Sequence, residues 1–275
     1  MPLPLLRVSS TLGLLWIVFN CAPAHAVVVN VAVSGNVASV QVGDPTQPIA
    51  DVTLSFDDAS GLTAANLGVS AELIKPGSPD LLARLPAGTG VASGLPLQIN
   101  IEPPAGGLSF RRRVHVEVHT HALSYTAGSP FRLFKAPSGG AFRDITNEVA
   151  PGSVRTRGTT GGFSQFLVLA DLRPSSAVIA EKFSTLRAQV ELLPLLERTP
   201  LLAHLLSAES ALAQSQFADT IVALDAFRAR VAARAGTDIP QEWVSGGAQQ
   251  NHAGELLAGV STLQFSVGVL RDTGT

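Results

Sequence analysis

The chain has 275 residues, with 19 basic against 21 acidic side chains and a formal charge of −2, so no basic field draws it to nucleic acid or an anionic membrane. Its single cysteine, Cys21, falls in an amino-terminal leader, which removes disulfides and thiol chemistry from the mature chain. Aromatic residues make up only 5% of the sequence and charged residues 15%; the cores must therefore be mostly aliphatic.

Residues 1–26 read as a secretory signal. Arg7 precedes the apolar run LGLLWIVF, and Ala24-His25-Ala26 supplies a small-residue site for cleavage between Ala26 and Val27. The run is too short for a spanning helix and alternating polar sequence follows it, so no integral membrane span is expected in the mature chain. The expected location is secreted or periplasmic. Lipidation at Cys21 fits less well, because Phe19 and Asn20 are poor small-residue flanks for that cleavage.

From Val27 to Ala170 the sequence gives short β segments broken by turns. VVVNVAVSG and VASVQVG pair around Gly35-Asn36, and DVTLSF, LGVSAELI and LPLQINIEP follow. RRRVHVEVHTHA, residues 111–122, alternates strictly: Val114, Val116, Val118, Thr120 and Ala122 on one face, Arg113, His115, Glu117, His119 and His121 on the other. FRLFKAPSGGAFRDITNEV reads as a hairpin about Pro137-Ser138-Gly139-Gly140, and GSVRTRGTTGGFSQFLVLAD as one closing strand, mostly apolar towards its end. The run RLFKAPSGGAFRDIT with FSQFLVL resembles the terminal hairpin of immunoglobulin-like β modules of secreted bacterial proteins, and this resemblance implies a sandwich.

Beyond Pro174-Ser175-Ser176 the period lengthens. Ile179, Phe183, Leu186, Val190 and Leu193 form one helical stripe that Pro194 ends. Thr199-Pro200 reads as the start of a second helix through Leu212; a third runs from Phe217 to Gly236 with Ile221, Leu224, Phe227 and Val231 inward, and a last one from His252 to Leu270. The run LLAHLLSAESALAQSQFADTIVALDAFRARVAARAGTDI resembles the FIMAH helical module of extracellular bacterial proteins, through Leu201, Leu205 and Ala208 on one helix and Leu224, Ala226, Phe227, Val231, Ala233, Gly236 and Ile239 on the next. It departs from the module at Ser215-Gln216 and at His204. The matched positions are core positions, so the resemblance implies architecture, an extracellular setting and a role in association, and transfers no catalytic residue. The whole arrangement resembles an uncharacterised family of secreted Gram-negative bacterial proteins.

The expected fold class is α+β in two domains. An N-terminal antiparallel, immunoglobulin-like β-sandwich spans 27–172, and a C-terminal small helical bundle of about four helices spans 175–272. The strongest chemical candidate is the face His115, Glu117, His119, His121: alternate strand residues lie about 6.6 Å apart with parallel side chains, so two histidines can share a zinc or copper ion and a carboxylate can complete or orient the site. Against it stands a polar strand face whose Glu117 pairs with a cross-strand cation. Arg111-Arg112-Arg113 reads as a solvated strand start rather than a polyanion site. Asp57-Asp58 lacks a calcium-loop spacing. GFSQF, residues 162–166, departs from a serine nucleophile motif at Phe166. No catalytic residue and no cofactor is expected. The expected function is non-catalytic, structural or interaction-bearing, with an envelope or extracellular protein or polymer as partner; the alternative is a metal-binding protein or metal-dependent enzyme using the histidine-rich strand.

Overall fold

A computed structural model describes residues 25–274 apart from 127, 248 and 249; the expected leader with Cys21 lies outside them except for its last two residues. The chain opens with β1 (His25–Val27), β2 (Val29–Ser34), β3 (Val37–Asp44) and the long β4 (Gln47–Ser60). A single turn of helix, α1 (Ala64–Leu67), then leads to β5 (Val69–Leu73), α2 (Pro79–Leu82), β6 (Thr89–Val91), β7 (Leu97–Ile101) and the longest strand, β8 (Ser109–Ser124). After β9 (Phe131–Ala136), β10 (Arg143–Asp144), β11 (Thr146–Ala150), β12 (Ser153–Thr160) and β13 (Gln165–Asp171) come α3 (Ser175–Glu191), α4 (Leu195–Ala213) and α5 (Phe217–Arg234). The short β14 (Glu242–Val244) precedes α6 (His252–Thr273).

The described strands form two antiparallel sheets of seven. Sheet A runs β1-β5-β7-β13-β9-β10 with β6 also on β13; sheet B runs β11-β12-β8-β4-β3-β2 with β14 also on β8. Period-two alternation sets the faces. Val52, Leu54 and Phe56 of β4 and Val114, Val116 and Val118 of β8 turn inward, where they share one core with Leu97, Ile99, Ile101, Phe166 and Val168 of sheet A. At one end of this core Phe110 stacks on Trp243 with centroids 5.2 Å apart and meets Phe163 edge-on at 5.3 Å. Strand β13 is buried on both faces, since Leu167 and Leu169 pack on the far side with Phe134 and Phe142. That accounts for its apolar run.

The expected immunoglobulin-like sandwich followed by a small helical bundle is not what forms. The fourteen described strands of the two sheets exceed the seven to nine that an immunoglobulin-like domain shares between two; the carboxy-terminal segment also returns to sheet B as β14, and α6 packs against β8, β11 and β12. Strands of two or three residues, such as β10 and β14, are too short to show a period. The segment read as one closing strand is two, β12 in sheet B and β13 in sheet A, divided at Gly161-Gly162. Gly161 sits so close to the start of α6 that a Cβ there would lie 2.4 Å from the Glu255 backbone nitrogen.

The helical stripes mostly fall where the period places them: Ile179, Phe183, Leu186 and Val190 of α3, and Leu224, Phe227 and Val231 of α5, are buried together. Helix α4 begins at Leu195 rather than Thr199, with Pro200 inside it. Proline offers no N–H to the Leu196 carbonyl, which accepts instead from the Arg230 guanidinium at 3.4 Å. Among the described residues α6 is the one helix whose length and mean hydropathy of 1.3 would suit a membrane span. Its Ala253, Leu256, Val260, Leu263 and Val267 are buried in the protein core. Two ion pairs tie the long helices to sheet A: Lys182 Nζ of α3 lies 2.7 Å from Asp144 Oδ2 of β10, and Lys135 Nζ of β9 lies 2.9 Å from Glu255 Oε1 of α6.

Candidate metal centre

The outer face of sheet B collects the polar side chains of β8. Because Val114, Val116, Val118 and Thr120 are buried, His115, Glu117, His119 and His121 all point away from the core. Antiparallel register then decides their neighbours: Ser55 of β4 and Thr159 of β12 stand opposite His115, Thr53 and Arg157 opposite Glu117, and Asp51 and Arg155 opposite His119.

Those neighbours split the four candidates into three settings. His115 Nε2 lies 3.3 Å from Asp57 Oδ1, and Arg113 Nε is 3.3 Å from the other oxygen of the same carboxylate. Glu117 accepts from Arg157 Nε at 2.5 Å, while Arg157 also holds Glu148 at 2.9 Å. His119 and His121 instead converge on Asp51. His121 Nε2 is 2.9 Å and His119 Nδ1 3.8 Å from Asp51 Oδ2, with the imidazole centroids 4.6 Å apart. One ligand atom from each of the three residues falls within 4.8 Å of the others. His115 is four residues from His119, about 13 Å along the strand, and cannot join them.

The hydrogen bonds orient this trio for a cation. His119 Nε2 is 2.5 Å from Ser153 Oγ at the start of β12, which leaves Nδ1 directed at Asp51. Burial and the charge of Arg155 hold the His119 imidazole below its ordinary 6.5, so it is neutral with a free lone pair at pH 7. Two imidazoles and one carboxylate are a donor set for zinc and other divalent transition metals, whose bonds of about 2.0–2.2 Å would need only a small contraction of the trio. The outward side of the site is open, since His121 is exposed and Asp51 and His119 are half-buried. Beside it, at Thr53, His115, Glu117, Asn147 and Arg157, the same face has a depression of about 330 Å³.

Asp51 was not among the residues the alternation of β8 singled out; only the pairing of β4 with β8 brings it there. The other candidates are accounted for elsewhere. Ser164 precedes a strand rather than a helix, which lacks the geometry of a nucleophile elbow. Asp57 is engaged by Arg113 and His115. His252 opens α6, but the cap is Asn251, which accepts from the Gly254 N–H at 2.8 Å.

No curated protein and no solved structure matches the chain. A family model does match residues 12–271, nearly the whole length, so the chain belongs to the Family of unknown function (DUF6689).

Proposed function

We propose that this is a non-catalytic secreted or periplasmic protein that binds a divalent transition-metal ion through Asp51, His119 and His121 on the outer face of sheet B. One observation carries the reading: three ligand atoms from two paired strands fall within 4.8 Å of one another, with one imidazole already oriented by a hydroxyl. The apolar leader and the FIMAH-like run support the extracytoplasmic setting. The test is metal analysis and titration calorimetry with zinc on the purified chain. One ion per chain is expected, lost in the H119A/H121A double variant and kept in H115A. Absence of stoichiometric binding, or binding that survives H119A/H121A, overturns the assignment.

A second reading, association with an envelope or extracellular partner, is favoured by the corner between α3 and α4. Leu192, Leu195 and Leu196 there are each at least 66% exposed, a local concentration of apolar surface that a partner would cover. Crosslinking of the intact chain in its cell envelope, with L195E/L196E as the comparison, tests it; equal crosslinking of the two chains counts against it.

A further inference from the structure

The arginine run at the start of β8 does not behave as a regular strand start. Phe56 pairs with Val114 and Asp58 with Arg111, so Arg112 and Arg113 together oppose the single residue Asp57. This is a β-bulge. Arg112 adopts a left-handed backbone with φ of 63°, one of two described non-glycine residues with positive φ. Its conformation is fixed from outside the strand: its N–H donates to the Gln241 carbonyl at 3.1 Å, and its carbonyl accepts from Asn251 Nδ2 at 2.6 Å.

Glycine meets such a backbone at least cost. Arginine at this position adds a guanidinium for which the structure shows no acceptor among the described residues. The bulge also faces a cleft of about 650 Å³ between β8 and α5, a size typical of small-molecule sites. Arg112 and Arg113 flank it on the strand side and Arg228 on the helix side, while Ala229 and Ala232 of α5, and Ala235 just past its end, give that wall no bulk. The described lining thus holds three arginines and one carboxylate, Asp57, which Arg113 and His115 already engage. Among the described residues Arg228 is held by Asp225 alone, 2.8 Å away in a half-exposed i,i+3 pair, an interaction weak enough to exchange for a ligand. Planar guanidinium forks match the oxygens of a phosphoryl group in bidentate fashion. Among the described residues that line the cleft there is no aromatic side chain on which a nucleobase could stack.

We infer that the cleft between the β8 bulge and α5 binds a phosphate group, free or carried as a monoester on a non-aromatic body such as a sugar, with Arg112 and Arg228 as its principal contacts. This site is separate from the Asp51, His119, His121 trio and stands independently of it.

Titration calorimetry on the full chain at about 0.15 M salt, where loose surface attraction is largely screened, tests the inference with glucose 1-phosphate, inorganic phosphate and glucose. Saturable binding of glucose 1-phosphate and none of glucose is expected. R112Q and R228Q should each weaken it by about tenfold or more, the loss for one charge-assisted contact, while R187Q on α3 leaves it unchanged. R112G, whose backbone suits the left-handed position, should lose binding to the same extent without a lower unfolding midpoint, which separates ligand contact from folding. Tighter binding of the ester than of inorganic phosphate assigns the cleft to a phosphorylated body, and equal binding to the free ion. No saturable binding of either phosphate, or binding that R112Q, R112G and R228Q all leave intact, overturns the inference.

Discussion

Two single residues carry the sharpest consequences. Ser153 touches no proposed ligand atom, yet its hydroxyl at 2.5 Å fixes which nitrogen of His119 turns towards Asp51. Outer-shell partners of this kind are worth about 10–100-fold in metal affinity. Ser153→Ala is therefore expected to weaken zinc binding by about that factor while leaving the stoichiometry at one, measured by competition with a chromogenic chelator; an unchanged affinity would show that the ring is held by packing alone. Arg112 gives the opposite case, a residue whose side chain opposes its backbone. A non-glycine residue in the left-handed region costs about 1 kcal/mol or more, partly offset by the entropy glycine loses on folding. Arg112→Gly should leave stability unchanged or raise it by up to about 1 kcal/mol, read from urea unfolding. A clear loss of stability would mean that the guanidinium supports the fold.

At the scale of the element, β8 is organised by what crosses its bulge. Gly254 at the start of α6 approaches the bulged backbone so closely that a Cβ would stand 2.0 Å from the Arg112 carbonyl oxygen. The same residue donates its N–H to the Asn251 cap. Gly254→Ala must push α6 off the strand or unmake the bulge, at a cost of about 1–3 kcal/mol or more; retained stability in thermal unfolding would show that the helix can slide at no cost. The legibility of these elements follows the range of the forces that set them. The sidedness of β8 was readable because alternation is local, and the stripes of α3 and α5 were readable for the same reason. Asp51 and Ser153 were not, because each meets His119 only through a pairing register set by two other strands. The bulge escaped for a related cause: three consecutive arginines read as a solvated strand start, and nothing in the residue type signals a left-handed backbone. Strand β14 has three residues, and Trp243 within it finds Phe110 by tertiary packing rather than by period.

The whole molecule joins two sheets to a helical layer, and buried charge makes that junction sensitive to acid. Asp144 and Lys182 are each at least 92% buried, and Asp144 also caps the Thr146 N–H at 2.8 Å. Burial pushes the Asp144 carboxyl up, but the Lys182 ammonium and Thr146 together outweigh it and hold the group below 3.8. Glu255 behaves alike: burial raises it, while Lys135, Arg143 and Thr160 bring it below 4.5. In both cases the folded state binds its proton less readily than the unfolded chain does. The stabilisation is thus fully present above the unfolded-state values and is lost as pH falls through the lower folded ones. Urea unfolding from pH 7 to pH 2 should show a plateau above about pH 5 and a progressive fall below it. Removing one partner of a buried pair costs about 3–5 kcal/mol, because the other charge is left without compensation, whereas removing both is often nearly neutral. Lys182→Met should accordingly cost about that much at pH 7, and D144N/K182M, which keeps an acceptor for Thr146, should cost less than K182M alone. The double variant should also flatten the acid limb, since one of its two titrating carboxyls is gone. If its stability falls with pH as steeply as that of the parent chain, the acid sensitivity lies in exposed carboxylates and not in the junction between sheet A and α3.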